Sequence, residues 1–110
     1  MSAWKRYWQK WGMARPPLLS EEELQQALQE LPLWQREGNT LVREFVAPNF
    51  AAAVGLLTAI AVVAEAMDHH PDLFLYGWNK LRVILSTHDR GGITELDITL
   101  AKKIEELRFF

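Results

Sequence analysis

The 110-residue chain contains no cysteine and no large excess of either charge. Without cysteine it can form no disulfide framework, no thiolate metal site and no cysteine nucleophile, which is compatible with a reducing cytoplasm. Twelve basic residues against fourteen acidic residues give a net charge of −2, so the chain as a whole has no general affinity for phosphate backbones. We expect a cytoplasmic protein without a nucleic-acid partner.

The chain also lacks an apolar run long enough to span a bilayer. Residues 50–64 carry no charge, but a transmembrane helix needs roughly 20 consecutive apolar residues. We therefore expect this segment to form a buried helix, and we expect no membrane span. Residues 1–19 have positive charges and tryptophans but no continuous apolar stretch, which argues against a signal peptide.

Capping signals and hydrophobic periodicity predict three helices. Ser20 with Glu23 and Thr94 with Asp97 have the spacing of capping boxes, in which each side chain accepts a hydrogen bond from the other residue's backbone. The dipeptide at 48–49 opens a longer helix between them. The predicted helices cover residues 21–31, residues 50–67 and the segment from Thr94 to Arg108.

Branched and aromatic residues predict four strands that pair as two hairpins. The first hairpin turns at Glu37-Gly38-Asn39 and the second at Asn79-Lys80. The order helix-strand-strand-helix-strand-strand-helix favours a two-layer α+β domain, in which helices cover one face of an antiparallel four-stranded sheet. The predicted strands are residues 33–36, 41–47, 73–78 and 81–87.

Apolar residues surround the long helix instead of forming one stripe. A sheet covers only part of a helix's circumference, so another surface should cover the rest. Self-association explains this pattern, and an exposed outer strand offers a second way to join subunits. The alternative is a weakly amphipathic helix whose alanines tolerate solvent.

All three histidines lie within one stretch of twenty residues, at His69, His70 and His88, with Glu65 and Asp97 nearby. The unperturbed pKa of histidine, about 6.5, lets the side chain exchange a proton near neutral pH. The cluster therefore indicates a proton-transfer site. Two alternatives stay open: a histidine that only caps a helix end, and two histidines with a carboxylate that bind iron or zinc.

The ordered motifs of this region resemble the pterin-4a-carbinolamine dehydratase family. The similarity covers about residues 18 to 108 and is specific because several short motifs recur in order. These are Glu65, His69-His70-Pro71, Trp78-Asn79, Ser86-Thr87-His88, Gly91-Gly92 and Asp97.

The resemblance implies the same element order and a homodimer or homotetramer. It implies a hydro-lyase that removes water from 4a-hydroxytetrahydropterin to give quinonoid dihydropterin, with no metal and no organic cofactor. This reaction recycles the pterin cofactor of aromatic amino acid hydroxylases, one of which is an implied partner. The fold alone does not exclude a non-catalytic binding protein, such as a RuBisCO assembly factor or a transcription-factor dimerisation cofactor. The presence of all three histidines favours the enzyme.

The resemblance also implies roles for individual residues. His70 and His88 are expected to form the acid/base pair, while His69 orients the pterin. Glu65 and Asp97 are expected to support the imidazoles, although Asp97 already has an explanation as a helix-capping residue. Trp78, Ser86 and Thr87 are expected to line the pocket, with sheet packing as the alternative for Trp78.

Two parts of the chain depart from the family pattern. Arg90 places a cation between His88 and the glycines, where it could change pterin affinity or attract an anionic ligand. Residues 1–17 form an extension before a domain over residues 18–110. Its tryptophans Trp4, Trp8 and Trp11 and its basic residues suit an amphipathic helix that binds a partner or a membrane surface. A flexible arm, or a start codon placed too early, is the alternative.

Overall fold

The computed structural model describes residues 15–107 and residue 110. Within them the predicted element order and the α+β class are confirmed. The elements are α1 (Glu21–Gln29), β1 (Gln35–Glu37), β2 (Thr40–Val46), α2 (Phe50–Met67), β3 (Asp72–Tyr76), β4 (Lys80–Leu85) and α3 (Glu95–Glu105).

The sheet is fully antiparallel and has the strand order β1-β2-β4-β3. β2 and β4 form its centre, and β3 is an edge strand paired with β4, with Asp72 opposite Ile84. Because β3 begins where β4 ends, the residues just before Asp72 lie close to the residues just after Leu85. The two histidine-bearing segments therefore meet at one corner of the sheet.

The core lies between the helices and one face of the sheet. Both predicted capping boxes are present, at Ser20 with Glu23 and at Thr94 with Asp97. The opposite face of the sheet carries exposed or half-buried polar side chains, including Glu44 and Arg82. The core includes Leu24, Leu41, Phe45, Leu56, Ile60, Val83, Leu85, Leu100 and Ile104.

Helix α2 is buried along one side only. Its buried residues recur at helical spacing, whereas Phe50, Val54 and Val62 on other sides are exposed. Within one chain the sheet thus covers one stripe of a helix that is apolar all round, as expected, and cover for the other sides by a second subunit stays a prediction. The uncharged run at 50–64 is too short to span a bilayer, but the whole helix α2, with 18 residues, is long and apolar enough by length and composition. Core helices of soluble proteins pass the same test. Its buried residues are Ala53, Leu56, Ile60, Ala64 and Met67.

Several element ends differ from the prediction. The second hairpin turns at residues 77–79, since Gly77 and Trp78 adopt left-handed backbone conformations, with φ values of 55° and 59°, and Lys80 already belongs to β4. β4 ends at Leu85 because Thr87 turns away to bond Gly92. α1 ends at Gln29 and α3 at Glu105.

Candidate active site

The corner where β3 begins and β4 ends contains a small open pocket of about 80 Å³. It gathers all three histidines from two segments, 68–70 and 86–89. The predicted residues that line it are His69, His70, Ser86, Thr87 and His88, and three charged residues join them, namely Arg15, Asp68 and Asp89.

Two adjacent histidines follow the C-terminal end of α2, and their side chains lie in different environments. Asp68 has a left-handed backbone conformation with φ 51°, which aspartate tolerates better than most residues. The backbone N–H of His69 then bonds back to the Ala64 carbonyl at 3.1 Å. As a result the His69 side chain turns into the core and is 6% exposed, whereas the His70 side chain is 58% exposed.

His69 belongs to a buried hydrogen-bond network centred on Asp97. Its Nε2 atom lies 2.6 Å from Asp97 Oδ1. The other carboxylate oxygen, Oδ2, accepts from the Thr94 backbone N–H and from the Thr87 hydroxyl, each at 2.9 Å. Asp97 is fully buried, so three donors replace the water that a buried carboxylate loses.

The hydrogens of this network have defined directions. The Thr87 hydroxyl gives its single hydrogen to Asp97, so across the 2.7 Å contact between the two hydroxyls Thr94 must be the donor. Asp97 as a carboxylate has no hydrogen to give, so His69 donates from Nε2. In the neutral form of the ring, Nδ1 is then the acceptor nitrogen. Helix capping and ring orientation depend on the same aspartate.

His70 forms a second pair at the surface. Its Nε2 atom lies 2.9 Å from Glu65 Oε1, and both side chains are exposed. Glu65 lies one helical turn before His69, as the sequence indicates, but it pairs with His70 because Asp68 redirects the chain between them. His88 begins a short 3₁₀ turn over residues 88–90 and is also exposed.

The three predicted lining residues have different placements. Ser86 is half-buried at the pocket. The Thr87 hydroxyl donates its hydrogen bond to Asp97, and Thr87 as a whole is 1% exposed. Thr87 therefore supports the network and does not offer its hydroxyl to a ligand. Trp78 lies in the hairpin turn at the opposite ends of β3 and β4 and is 62% exposed. The structure does not bring Trp78 to the pocket of its own chain.

Three charged lining residues were not among the predicted site residues. Asp68 and Asp89 each adjoin a histidine in the sequence, which was the available signal. Arg15 lies far away in the sequence, and no local pattern connects it to the histidines. Arg90 does not line the pocket, because its guanidinium bonds the carbonyl oxygens of Arg15 and Pro16 instead. Among residues 15–107 and 110, no group of three or more histidine and acidic side chains converges as metal ligands would.

Comparison with known proteins gives a consistent result. The model of the pterin 4 alpha carbinolamine dehydratase family matches residues 17–107. A protein of Metallosphaera sedula, provisionally named a pterin-4-alpha-carbinolamine dehydratase, is 45% identical over 91 residues, which is 83% of this chain and 94% of the relative.

Two solved structures extend the comparison. The crystal structure of a transcriptional coactivator/pterin dehydratase from Brucella melitensis has a TM-score of 0.77 and 37% identity, over 81% of this chain and 96% of that chain. A pterin dehydratase-like protein, identified as a RuBisCO assembly factor in the alpha-carboxysome, has a TM-score of 0.56 and 20% identity, over 67% of this chain and 84% of that one. The second similarity shows the fold alone.

Proposed function

The chain belongs to the pterin 4 alpha carbinolamine dehydratase family, and we propose that it converts 4a-hydroxytetrahydropterin to quinonoid dihydropterin by histidine acid/base catalysis. The observation that carries this proposal is the joining of three histidines at one pocket, one fixed by a buried carboxylate and two exposed. An acid and a base at adjacent positions are what a dehydration requires.

The reaction removes one water molecule and needs no redox partner. The bond between C4a and the hydroxyl oxygen breaks, and the leaving oxygen takes a proton from an acid on the enzyme. A ring N–H gives its proton to a base, and its electron pair forms the new ring double bond. The two transfers balance, so the enzyme returns to its starting state after the acid and base exchange a proton with solvent.

His70 and His88 serve as the acid/base pair. Both side chains are exposed, so they can reach a substrate and exchange protons with water. The hydrogen bond to Glu65 supports His70 as an oriented ring with a defined donor nitrogen. His69 orients the pterin, because its ring is held in the buried network and cannot turn freely.

The size of the pocket indicates how the substrate lies. The pocket is small, about 80 Å³, and open to solvent. We place the flat bicyclic ring of the pterin across its opening. In that position its ring contacts the two exposed histidines while His69 lies beneath it.

The first experiment measures how fast the protein dehydrates freshly generated 4a-hydroxytetrahydropterin, followed by ultraviolet absorbance. The His70→Ala and His88→Ala variants should each lose at least about a hundredfold in rate, the usual scale for one acid/base group, and should remain folded. Gln26→Ala, at an exposed position of α1, is the control and should keep the full rate. Unchanged turnover in both histidine variants would contradict the site assignment.

The biological setting belongs to the same proposal. We propose a cytoplasmic homodimer or homotetramer that recycles the cofactor of an aromatic amino acid hydroxylase. The exposed apolar residues of α2, Phe50, Val54 and Val62, support self-association. A folded protein that fails to accelerate dehydration would instead favour a binding role, as the first part of the Brucella melitensis protein's name suggests for that relative.

A further inference from the structure

The segment 15–19, here called the strap, packs beside residues 92–94 and ends at the histidine pocket. The Leu19 backbone N–H bonds the Ile93 carbonyl at 3.0 Å. Leu18 packs on Gly92 so closely that a Cβ at that glycine would lie 2.9 Å from Leu18 Cδ2. The strap is therefore an integral part of the described domain.

Arg90 fixes the pocket end of the strap. Its Nε atom donates to the Pro16 carbonyl at 3.2 Å and its Nη2 atom to the Arg15 carbonyl at 2.6 Å. The rings of Pro16 and Pro17 fix their own φ angles, and each proline disfavours helical geometry at the residue before it. Two bonds to a stiff segment determine where the Arg15 side chain begins.

The Arg15 guanidinium lies between the two segments that carry the histidines. Its Nη2 atom is 3.4 Å from Asp68 Oδ2, and its Nε atom is 3.7 Å from Asp89 Oδ2. Asp68 precedes His69 directly, and Asp89 follows His88 directly. The side chain is 20% exposed, so protein surrounds most of it.

We propose that Arg15 is a positioning residue of the histidine site: it links Asp68 to Asp89 and so sets the separation of His70 and His88, and Arg90 holds it in place. The inference rests on the dehydratase function proposed above. It gives Arg90 a role different from a direct effect on the substrate, because the Arg90 guanidinium faces backbone carbonyls. The strap thereby acts on the reaction through two acidic side chains.

We expect the loss of Arg15 to change the reaction rate more than the folding stability. Ion pairs with separations of 3.4 and 3.7 Å contribute little to folding stability. A shift of about 1 Å in a catalytic group can lower the rate on the order of a hundredfold. We therefore expect a moderate loss of kcat without unfolding.

The first test is Arg15→Gln, assayed with 4a-hydroxytetrahydropterin. We expect kcat to fall about tenfold, KM to stay within about twofold and the thermal midpoint to stay close to that of the wild type. Arg36→Gln is a control of similar chemistry, because the Arg36 guanidinium bonds the Glu21 carboxylate and the Gly38 carbonyl and does not line the pocket. A rise in KM with unchanged kcat would overturn the positioning role in favour of direct substrate contact.

A double-mutant cycle tests whether Arg90 acts through Arg15. Arg90→Gln should lower kcat as much as Arg15→Gln, and the double variant should be no slower than either single variant, since both remove the same link. Effects that multiply would show that the two residues act independently and would overturn the proposed hierarchy.

The charge-conserving variant Arg15→Lys tests the bridge itself. A single ammonium group lacks the planar fork that serves two carboxylates, so this variant should stay close to Arg15→Gln. Full recovery by lysine would show that charge alone suffices and would overturn the bridge. The wild-type rate separates the two proposals: an inactive wild type contradicts the dehydratase function, whereas an active wild type with an unaffected Arg15→Gln contradicts only the positioning role.

Discussion

Two neighbouring histidines each pair with a carboxylate, yet the two pairs differ in almost every physical respect. His69 and Asp97 are buried, and the carboxylate satisfies three donors. His70 and Glu65 are exposed and share one hydrogen bond of 2.9 Å. Both histidines follow Asp68, the left-handed residue at the C-terminal end of α2. The same chemical pairing can thus be part of the fold or an addition to its surface.

The difference supports the different tasks that we propose for the two histidines. A ring inside a saturated network keeps its orientation, so His69 suits a fixed contact to the substrate. A ring at the surface exchanges protons with water, so His70 suits acid/base work. Removing a partner should therefore damage both folding and activity at the buried pair, and activity alone at the exposed pair.

The largest effect is expected from Asp97→Ala. It leaves three buried donors without an acceptor, those of His69, the Thr87 hydroxyl and the Thr94 backbone, and each such loss costs about 1–3 kcal/mol. Chemical denaturation should show a loss of this size. A loss below about 1 kcal/mol would contradict the view that the network is part of the fold.

The Asp97→Asn variant separates orientation from stability. The amide oxygen can still accept from Thr94 and Thr87, but the amide nitrogen then faces His69 and presents donors to Nε2. The ring must change its tautomer, so we expect activity to fall at least about tenfold while much of the stability remains. Nitrogen NMR of the histidine ring reports the tautomer directly.

An intermediate effect is expected from Thr87→Val. The change keeps the side-chain shape but removes one donor to Asp97 and the acceptor for the Thr94 hydroxyl. Leaving buried polar atoms unsatisfied costs about 1–3 kcal/mol, and kcat should fall a few-fold. Thr58→Val removes the hydrogen bond from the Thr58 hydroxyl to the Val54 carbonyl, at an exposed position of α2. It should leave stability nearly unchanged. Equal destabilisation by the two changes would contradict the special status of the network.

A smaller effect is expected from Glu65→Gln. The exposed pair should contribute no more than about 1 kcal/mol to stability, and kcat should fall a few-fold because His70 is less well oriented. Raising the salt concentration should bring the wild-type rate toward that of the variant, since salt screens exposed charges. Glu22→Gln, also exposed, is the control and should change neither rate nor stability.

The smallest effect is expected at a third carboxylate pair, on the outer face of the sheet. The Tyr76 hydroxyl donates to Glu44, and this hydrogen bond raises the pKa of Tyr76, with burial and the Glu44 charge adding to the shift. The neutral phenol is favoured in the fold, so its contribution to stability is present below about pH 10 and disappears as the pH rises through the raised value.

The Glu44→Gln change should lower the pKa of Tyr76 without affecting catalysis. Tyr7 and Tyr76 are the two tyrosines of the chain, so a Tyr7→Phe background isolates the Tyr76 signal in an ultraviolet titration. An unchanged titration would contradict the role of Glu44. An altered dehydration rate would mean that the outer face communicates with the pocket.

Most of the fold could be predicted from the sequence because local chemistry specifies it. The two capping boxes begin helices where predicted, and the bounds of α2 match the prediction. The predicted position of the second turn is wrong, since Trp78 takes a left-handed conformation that bulky residues avoid. Strand order was not predicted, because alternation of side chains assigns faces and not neighbours.

The residues of the candidate site were easier to find than their pairing. Sequence motifs pointed to the three histidines and to two carboxylates, but only the fold shows that Glu65 bonds to His70 and Asp97 to His69. Trp78 lies between His70 and His88 in the sequence, yet the hairpin carries it to the far end of the sheet. The contribution of Arg15 depends on tertiary packing of the strap, which has no local signal.

The two oxygens of Asp97 have a consequence for interpreting other sequences. One oxygen begins α3 and the other holds His69. A chain that adopted this fold and abandoned the reaction would still benefit from the capping oxygen. An aspartate at this position is therefore a poor marker of activity, whereas a glutamate at the Glu65 position, exposed and bonded to His70, is the more informative one.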